Sequence, residues 1–218
     1  MKKVLFSMLM VFAVTCCVTN TNGQVNAQIQ STNKFSFVEL EKRAEQGDAD
    51  AQERLAWYYV RHHYRNRDVA KALALLSKAA EQGHATAQYN LALWYMWEQF
   101  GVDKDVVKAV ELLKKSAEQG HVQAQTILAT LYLNGFEDVD VNETKAFEWS
   151  KKAAEQGNVY AQKQLAWHYE EGMGVEKDIK KAIEWYTKVA EQNVKVHEGA
   201  KSVSDIAREK IKKLQGDE

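Results

Sequence analysis

Side chains able to do chemistry are few in this chain, and they are scattered. Ser31 and Lys34 have the Ser-x-x-Lys spacing that sets a lysine amine beside a nucleophilic hydroxyl in enzymes that open β-lactam rings. No Lys-Thr-Gly or Ser-Asp-Asn element elsewhere completes such a site. His62 and His63 are adjacent, so on a helix they would diverge by about 100° and could not close on one metal ion. Gly172 and Gly174 follow no strand and have no third glycine behind them, which makes a turn and not a phosphate cradle. His84 and His121 each follow a glycine and read as turn residues, while His168, beside Tyr169, reads as a partly buried core histidine, with a place in a binding groove as the alternative. With no paired carboxylates and no nucleophile set against a base, the chain is expected to be no enzyme and to need neither metal nor cofactor.

The elements that hold these residues are set by a repeat. Ala-Glu-Gln-Gly occurs at residues 44–47, 80–83, 117–120 and 154–157, with Ala-Glu-Gln-Asn at 190–193, and the closing residues lie 36, 37, 37 and 36 positions apart. After each full copy come Ala-Gln (51–52, 87–88, 124–125, 161–162), Leu-Ala (55–56, 91–92, 128–129, 165–166) and a tyrosine (Tyr59, Tyr95, Tyr132, Tyr169). Counted from the first alanine these are i, i+4, i+5 and i+8, one stripe of a helix. A second helix is predicted to begin at Asp68, Asp105, Asn142 and Asp178, each with a side-chain oxygen suited to an N-cap. It runs through the next Ala-Glu-Gln to glycine, the residue that most readily takes the left-handed conformation of a helix end. The recurring tetrapeptide is therefore the end of one helix and the turn into the next.

Composition narrows the class further. The 218 residues carry 29 basic and 30 acidic side chains, and they form no basic cluster beyond Arg61, Arg65 and Arg67. Nucleic-acid phosphates demand a concentrated positive footprint, so a protein or peptide partner is expected and a nucleic acid is not. Proline is absent, which suits a chain that is helical throughout. Lys2 and Lys3 before the apolar run Val4 to Val14, then a polar stretch, make the layout of a secretory signal at residues 1–27. Cleavage is expected after Ala27, leaving a cysteine-free chain of net charge −3 in the periplasmic or secreted space. The alternative is a lipoprotein anchored through Cys16 or Cys17, the one route by which a membrane would be involved.

Read together, these residues resemble Sel1-like repeats, relatives of the tetratricopeptide repeats, and Ala79 to Lys115 follows the family pattern nearly throughout. The family's Gly-x-Gly-Val loop is present at Gly172–Val175 and in part at Gly101-Val102, whereas other loops depart from it. The resemblance implies an all-α fold, a right-handed superhelical solenoid of antiparallel helix pairs. On that basis residues 28–35 are a linker and 36–218 the solenoid: a half repeat at 36–47, full repeats at 48–83, 84–120, 121–157 and 158–193, and a C-terminal capping helix within 194–218. A secreted branch of the family has paired cysteines in its repeats, which the mature chain lacks, and some secreted members are linked to β-lactam binding or hydrolysis.

The resemblance also implies that the first helix of each pair lines a concave, ligand-holding face. Positions i+2, i+6 and i+9, about 150 to 180° from the core stripe, are predicted to face it. These are Glu53, Trp57 and Val60; Tyr89, Leu93 and Met96; Thr126, Thr130 and Leu133; and Lys163, Trp167 and Glu170, with Trp97 one position further on. Trp57, Tyr89, Leu93 and Trp167 are the wrong residue types for a solvated face, and aromatic residues are favoured anchors in binding sites. The expectation is a monomeric scaffold holding a protein or peptide on Glu53, Trp57, Tyr89, Leu93, Met96, Trp97, Lys163, Trp167 and Glu170. A β-lactam- or peptidoglycan-directed enzyme and an effector that binds a host protein are the alternatives.

Overall fold

A computed structural model describes residues 37–61, 68–192 and 202–216, and Ser31, Lys34, Cys16, Cys17, His62 and His63 lie outside them, as do residues 1–27 and the 28–35 linker. A lead helix α1 (Phe37–Glu45) is followed by four helix pairs. These are α2 (Ala49–Arg61) with α3 (Val69–Glu81), α4 (Ala85–Met96) with α5 (Val106–Glu118), α6 (Val122–Asn134) with α7 (Glu143–Glu155), and α8 (Val159–Glu171) with α9 (Ile179–Glu191). The last helix is α10 (Val203–Gln215). Each packs on its neighbours in sequence, so the pairs stack into an all-α solenoid, and no named strand occurs among the described residues.

Local chemistry sets every boundary. The second helices start where expected: Asp68, Asp105, Asn142 and Asp178 accept from the backbone N–H of Lys71, Lys108, Lys145 and Lys181 at 2.9–3.0 Å. The first helices use a more varied set. Asp48 and Asn158 cap α2 and α8 with oxygen, while His84 and His121 cap α4 and α6 through Nδ1, which accepts from Ala87 and Ala124 N–H. Accepting at Nδ1 requires that nitrogen to carry no proton while it caps the helix. Helix ends fall at glycines such as Gly120, whose φ of +89° a residue with a Cβ would adopt only under strain.

A ladder of glutamine pairs runs through the stack. Gln52, Gln88, Gln125 and Gln162 are buried, and each Nε2 donates to a carbonyl near the end of the preceding repeat's second helix: Ala44, Ala80, Ala117 and Ala154, at 2.9–3.3 Å. Each Oε1 accepts from the glutamine of the next Ala-Glu-Gln, namely Gln82, Gln119, Gln156 and Gln192, at 2.6–2.8 Å. Burying an amide costs free energy unless both of its ends are paired, and here both are. The recurring tetrapeptide is thus more than a stop signal, because its glutamine reaches back across the pair to the first helix.

The first helices sit deeper than a surface helix does. Along α4, Ala87 through Tyr89, Leu91 through Trp94 and Met96 are all buried, since α4 is enclosed by α3 and α5 and by residues of the next repeat. The tyrosines at i+8 lie near the rim, where a lysine of the second helix covers each ring: Lys71 on Tyr59, Lys108 on Tyr95, Lys145 on Tyr132 and Lys181 on Tyr169, at 4.4–5.4 Å. At the C-terminal end α10 covers α9 with Val203 and Ala207, and its start is held by reciprocal bonds between Ser202 and Asp205. At the other end Ala44, Phe37 and Leu40 of α1 pack on Leu55, Tyr58 and Tyr59.

Candidate functional site

The residues expected on the concave face separate into two groups. Tyr89, Leu93, Met96 and Glu170 are buried, with exposures of 4, 4, 0 and 8%, so the reading of these four as an open ligand surface is corrected. Each has a partner inside the stack. Tyr89 lies flat on His121 of the next turn, with ring centroids 4.6 Å apart. Leu93 and Met96 join Val106, Leu113 and Leu131 in the largest apolar cluster. Glu170 accepts from Tyr186 Oη at 2.7 Å and from Lys210 Nζ at 2.6 Å, and so ties α8 to α9 and to the covering helix α10. Val60 and Thr126 are likewise buried. The physical reason is that a face angularly opposite one core stripe is not solvent-facing when the next repeat packs on it.

Trp97 is half-buried against Phe136 of the following repeat's loop, with centroids 5.4 Å apart, so it braces that loop. What remains accessible is a polar and aromatic line on α2, α6 and α8: Glu53, Trp57 and Arg61, then Thr130 and Leu133, then Lys163 and Trp167. Sequence reasoning missed that Asn90 belongs with the first of these sets.

In the first set, Glu53 Oε1 accepts from Trp57 Nε1 at 2.7 Å and from Asn90 Nδ2 at 2.8 Å. Burial lifts the Glu53 carboxyl above its ordinary range, and these two bonds act in the opposite direction. The Trp57 ring meets Trp94 and Phe100 edge-on and carries the Arg61 guanidinium 4.8 Å from its centroid. Trp57 is therefore both a wall of the core and a partly open aromatic surface. A binding partner would meet one face of a residue already held in place, which limits the entropy lost on association.

In the last set, Trp167 packs edge-on against His168 at 5.7 Å and is otherwise half-open. Lys163 lies one turn before it on the same face of α8. Burial lowers its pKa, and no acidic group among the described residues offsets that.

Among the described residues no group of three His, Cys, Asp or Glu is placed to hold a metal ion. Gly172 and Gly174 close the turn between α8 and α9, and a Cβ on Gly174 would overlap the backbone carbonyl of Glu143 at the start of α7. The stretch is a turn, as its sequence indicated, and the structure packs it against the start of α7.

Residues 49–84, 85–121, 122–158 and 159–194 each match the Sel1 repeat. The chain belongs to the Sel1 repeat family. The solved structures similar to this Sel1 repeat protein include a protective antigen of uropathogenic Escherichia coli that displays an SLR fold. That antigen is 38% identical with a TM-score of 0.67, over 73% of this chain and 34% of that one. A Sel1 repeat protein from Oxalobacter formigenes is 32% identical with a TM-score of 0.71, over 81% of this chain and 48% of that one. This chain therefore spans between a third and a half of the length of these two relatives. No curated protein matches it. Sel1 repeat proteins are generally protein-interaction scaffolds.

Proposed function

We propose that this Sel1 repeat protein is a non-catalytic scaffold that holds a peptide segment of another protein along its first-helix face, between Trp57 and Trp167. The observation that carries this is the pair of half-open tryptophans at one repeat position in the first and fourth repeats, where repeat two has buried Leu93 and repeat three has Thr130. The two are three repeat steps apart. Glu53 and Arg61 flank one anchor and Lys163 the other, so an acidic group on the segment is best placed at the Trp167 end.

The lysine-led apolar run at the N-terminus supports a place in the bacterial periplasm or secreted space, with anchoring at Cys16 or Cys17 as the lipoprotein variant. The similar E. coli structure is that of a protective antigen, which agrees with an envelope or secreted setting. Among the described residues no helix is long and apolar enough to cross a membrane.

The test is site-specific photocrosslinking in cells, with a photoreactive phenylalanine placed in turn at 57, at 167 and at exposed Lys151 on α7. A common partner band from 57 and 167 that is missing from 151, and that K163E weakens at 167, is the expected result. Crosslinks from 151 alone would move the interaction to the second-helix face and overturn the proposal.

A further inference from the structure

The third seam between repeats differs in chemistry from the first two. Each seam sets one core position of a second helix against one of the following first helix. At the first seam these are Leu76 and Trp94, which share an apolar cluster, and at the second Leu113 and Leu131, which share another. The same repeat positions at the third seam are Ser150 on α7 and His168 on α8, and both are fully buried. On α7, Ser150 lies one turn beyond Phe147, the residue that meets His168. Glu143, Phe147 and Ser150 stand at i, i+4 and i+7 on one face of the helix. The His168 ring meets Phe147 with centroids 5.9 Å apart, and the charge of Glu143 acts on it.

Both polar residues have an atom without a protein partner. His168 Nδ1 bonds to the Met173 carbonyl at 2.7 Å, so Nδ1 carries the proton and Nε2 presents a lone pair. That Nε2 and Ser150 Oγ are each buried with no protein hydrogen bond. One offers a lone pair and the other a hydroxyl that can donate or accept. Serine where the other seams have leucine gives up more volume than one water occupies, about 30 Å³, and Phe147 where the second seam has Val110 takes back part of it. Both groups are sealed from solvent, so a hydrolytic Ser–His pair could not reach a substrate.

We propose that the third seam is a binding site for one internal water molecule, which donates to His168 Nε2 and bonds to Ser150 Oγ. The water takes the place that Leu76 and Leu113 fill at the equivalent position of the first two seams. Burial favours the neutral ring, in which Nδ1 donates to the Met173 carbonyl and Nε2 keeps its lone pair, while that carbonyl and the Glu143 carboxylate, the other groups acting on the ring, pull toward its charged form.

Diffraction to about 1.2 Å on the wild-type protein is the direct test. Density within hydrogen-bond distance of both Ser150 Oγ and His168 Nε2 is expected. A direct Ser150–His168 bond, or Ser150 turned back to the Ala146 carbonyl with no density beside His168, would overturn the proposal. In solution, a double-mutant cycle of S150A and H168F read by urea unfolding should show coupling of about fivefold in the unfolding constant. The imidazole ¹⁵N shift of His168 Nε2 should move in S150A. Strict additivity together with an unmoved nitrogen would also sink it.

Discussion

The contribution of the glutamine ladder to stability is measurable at Gln125. Replacing Gln125 by methionine keeps the length and approximate volume of the side chain but removes its amide. Two bonds are lost, to the Ala117 carbonyl at 2.9 Å and from Gln156 Nε2 at 2.8 Å. Neither partner is stranded, because the Ala117 carbonyl still accepts from Gly120 N–H at 3.0 Å and exposed Gln156 can turn to water. No full desolvation penalty therefore applies, and two ordinary bonds at about 0.5–1.5 kcal/mol each, less the gain from burying a thioether, give about 1–2 kcal/mol. Q156A removes one of the same two bonds and should cost about 0.5–1 kcal/mol. Because that bond is shared, Q125M/Q156A should cost little more than Q125M alone, a coupling of about 0.5–1 kcal/mol. Urea unfolding followed by both far-UV circular dichroism and tryptophan fluorescence measures all four corners, provided the m values agree. Q88M serves as an internal replicate, since Gln88 makes the same bonds at 3.1 and 2.8 Å. A Q125M protein as stable as wild type, or fully additive single changes, would show that the ladder accompanies the stack without supporting it.

Three further outcomes follow from the geometry. Burial, with His84 adding to it, pushes the His121 pKa from 6.5 down to about 4. A lowered histidine pKa means that the unfolded chain takes up the proton first, so stability present above pH 6.5 declines as pH falls toward 4, by up to about 3 kcal/mol. H121N, which keeps a capping oxygen as Asn158 does, should flatten the melting-versus-pH curve over that window; an unchanged slope would place the titration elsewhere. G174A should destabilise far more than G120A, because Gly174 faces the Glu143 carbonyl while a Cβ at Gly120 meets nothing within 4 Å and bears only its φ strain, about 1–2 kcal/mol. Equal melting temperatures for the two would refute that contrast. K210M should cost about 1–3 kcal/mol by leaving the Glu170 carboxylate with Tyr186 alone, and it should loosen α10 before the rest, as hydrogen exchange would show. Uniform loss of protection across all repeats would argue against a local clasp.

Much of the architecture was legible in the sequence because it rests on local rules. The capping role of Asp68, Asp105, Asn142 and Asp178, the glycine ends and the helical stripe of alanine, leucine and tyrosine each depend on residues within a turn or two of one another, and the structure has them as expected. The glutamine ladder was half-visible. Its residues recur in register, but a bond spanning 30 or 31 positions has no signature within a single helix.

What only the tertiary structure decided is which side of the first helices is open. Angular position on one helix marks the face opposite a core stripe, and from that alone Tyr89, Leu93, Met96 and Glu170 stood with Trp57, Lys163 and Trp167. Burial is a property of the neighbours, however. A stacked helix is enclosed by its own partner, by the preceding repeat and by the following one. The following repeat contributes His121 over Tyr89, and the covering helix contributes Lys210 to Glu170, contacts made across 32 and 40 residues of chain. Helical periodicity determined the repeat, its caps and its core stripe; the packing of one repeat on the next determined what a partner can touch.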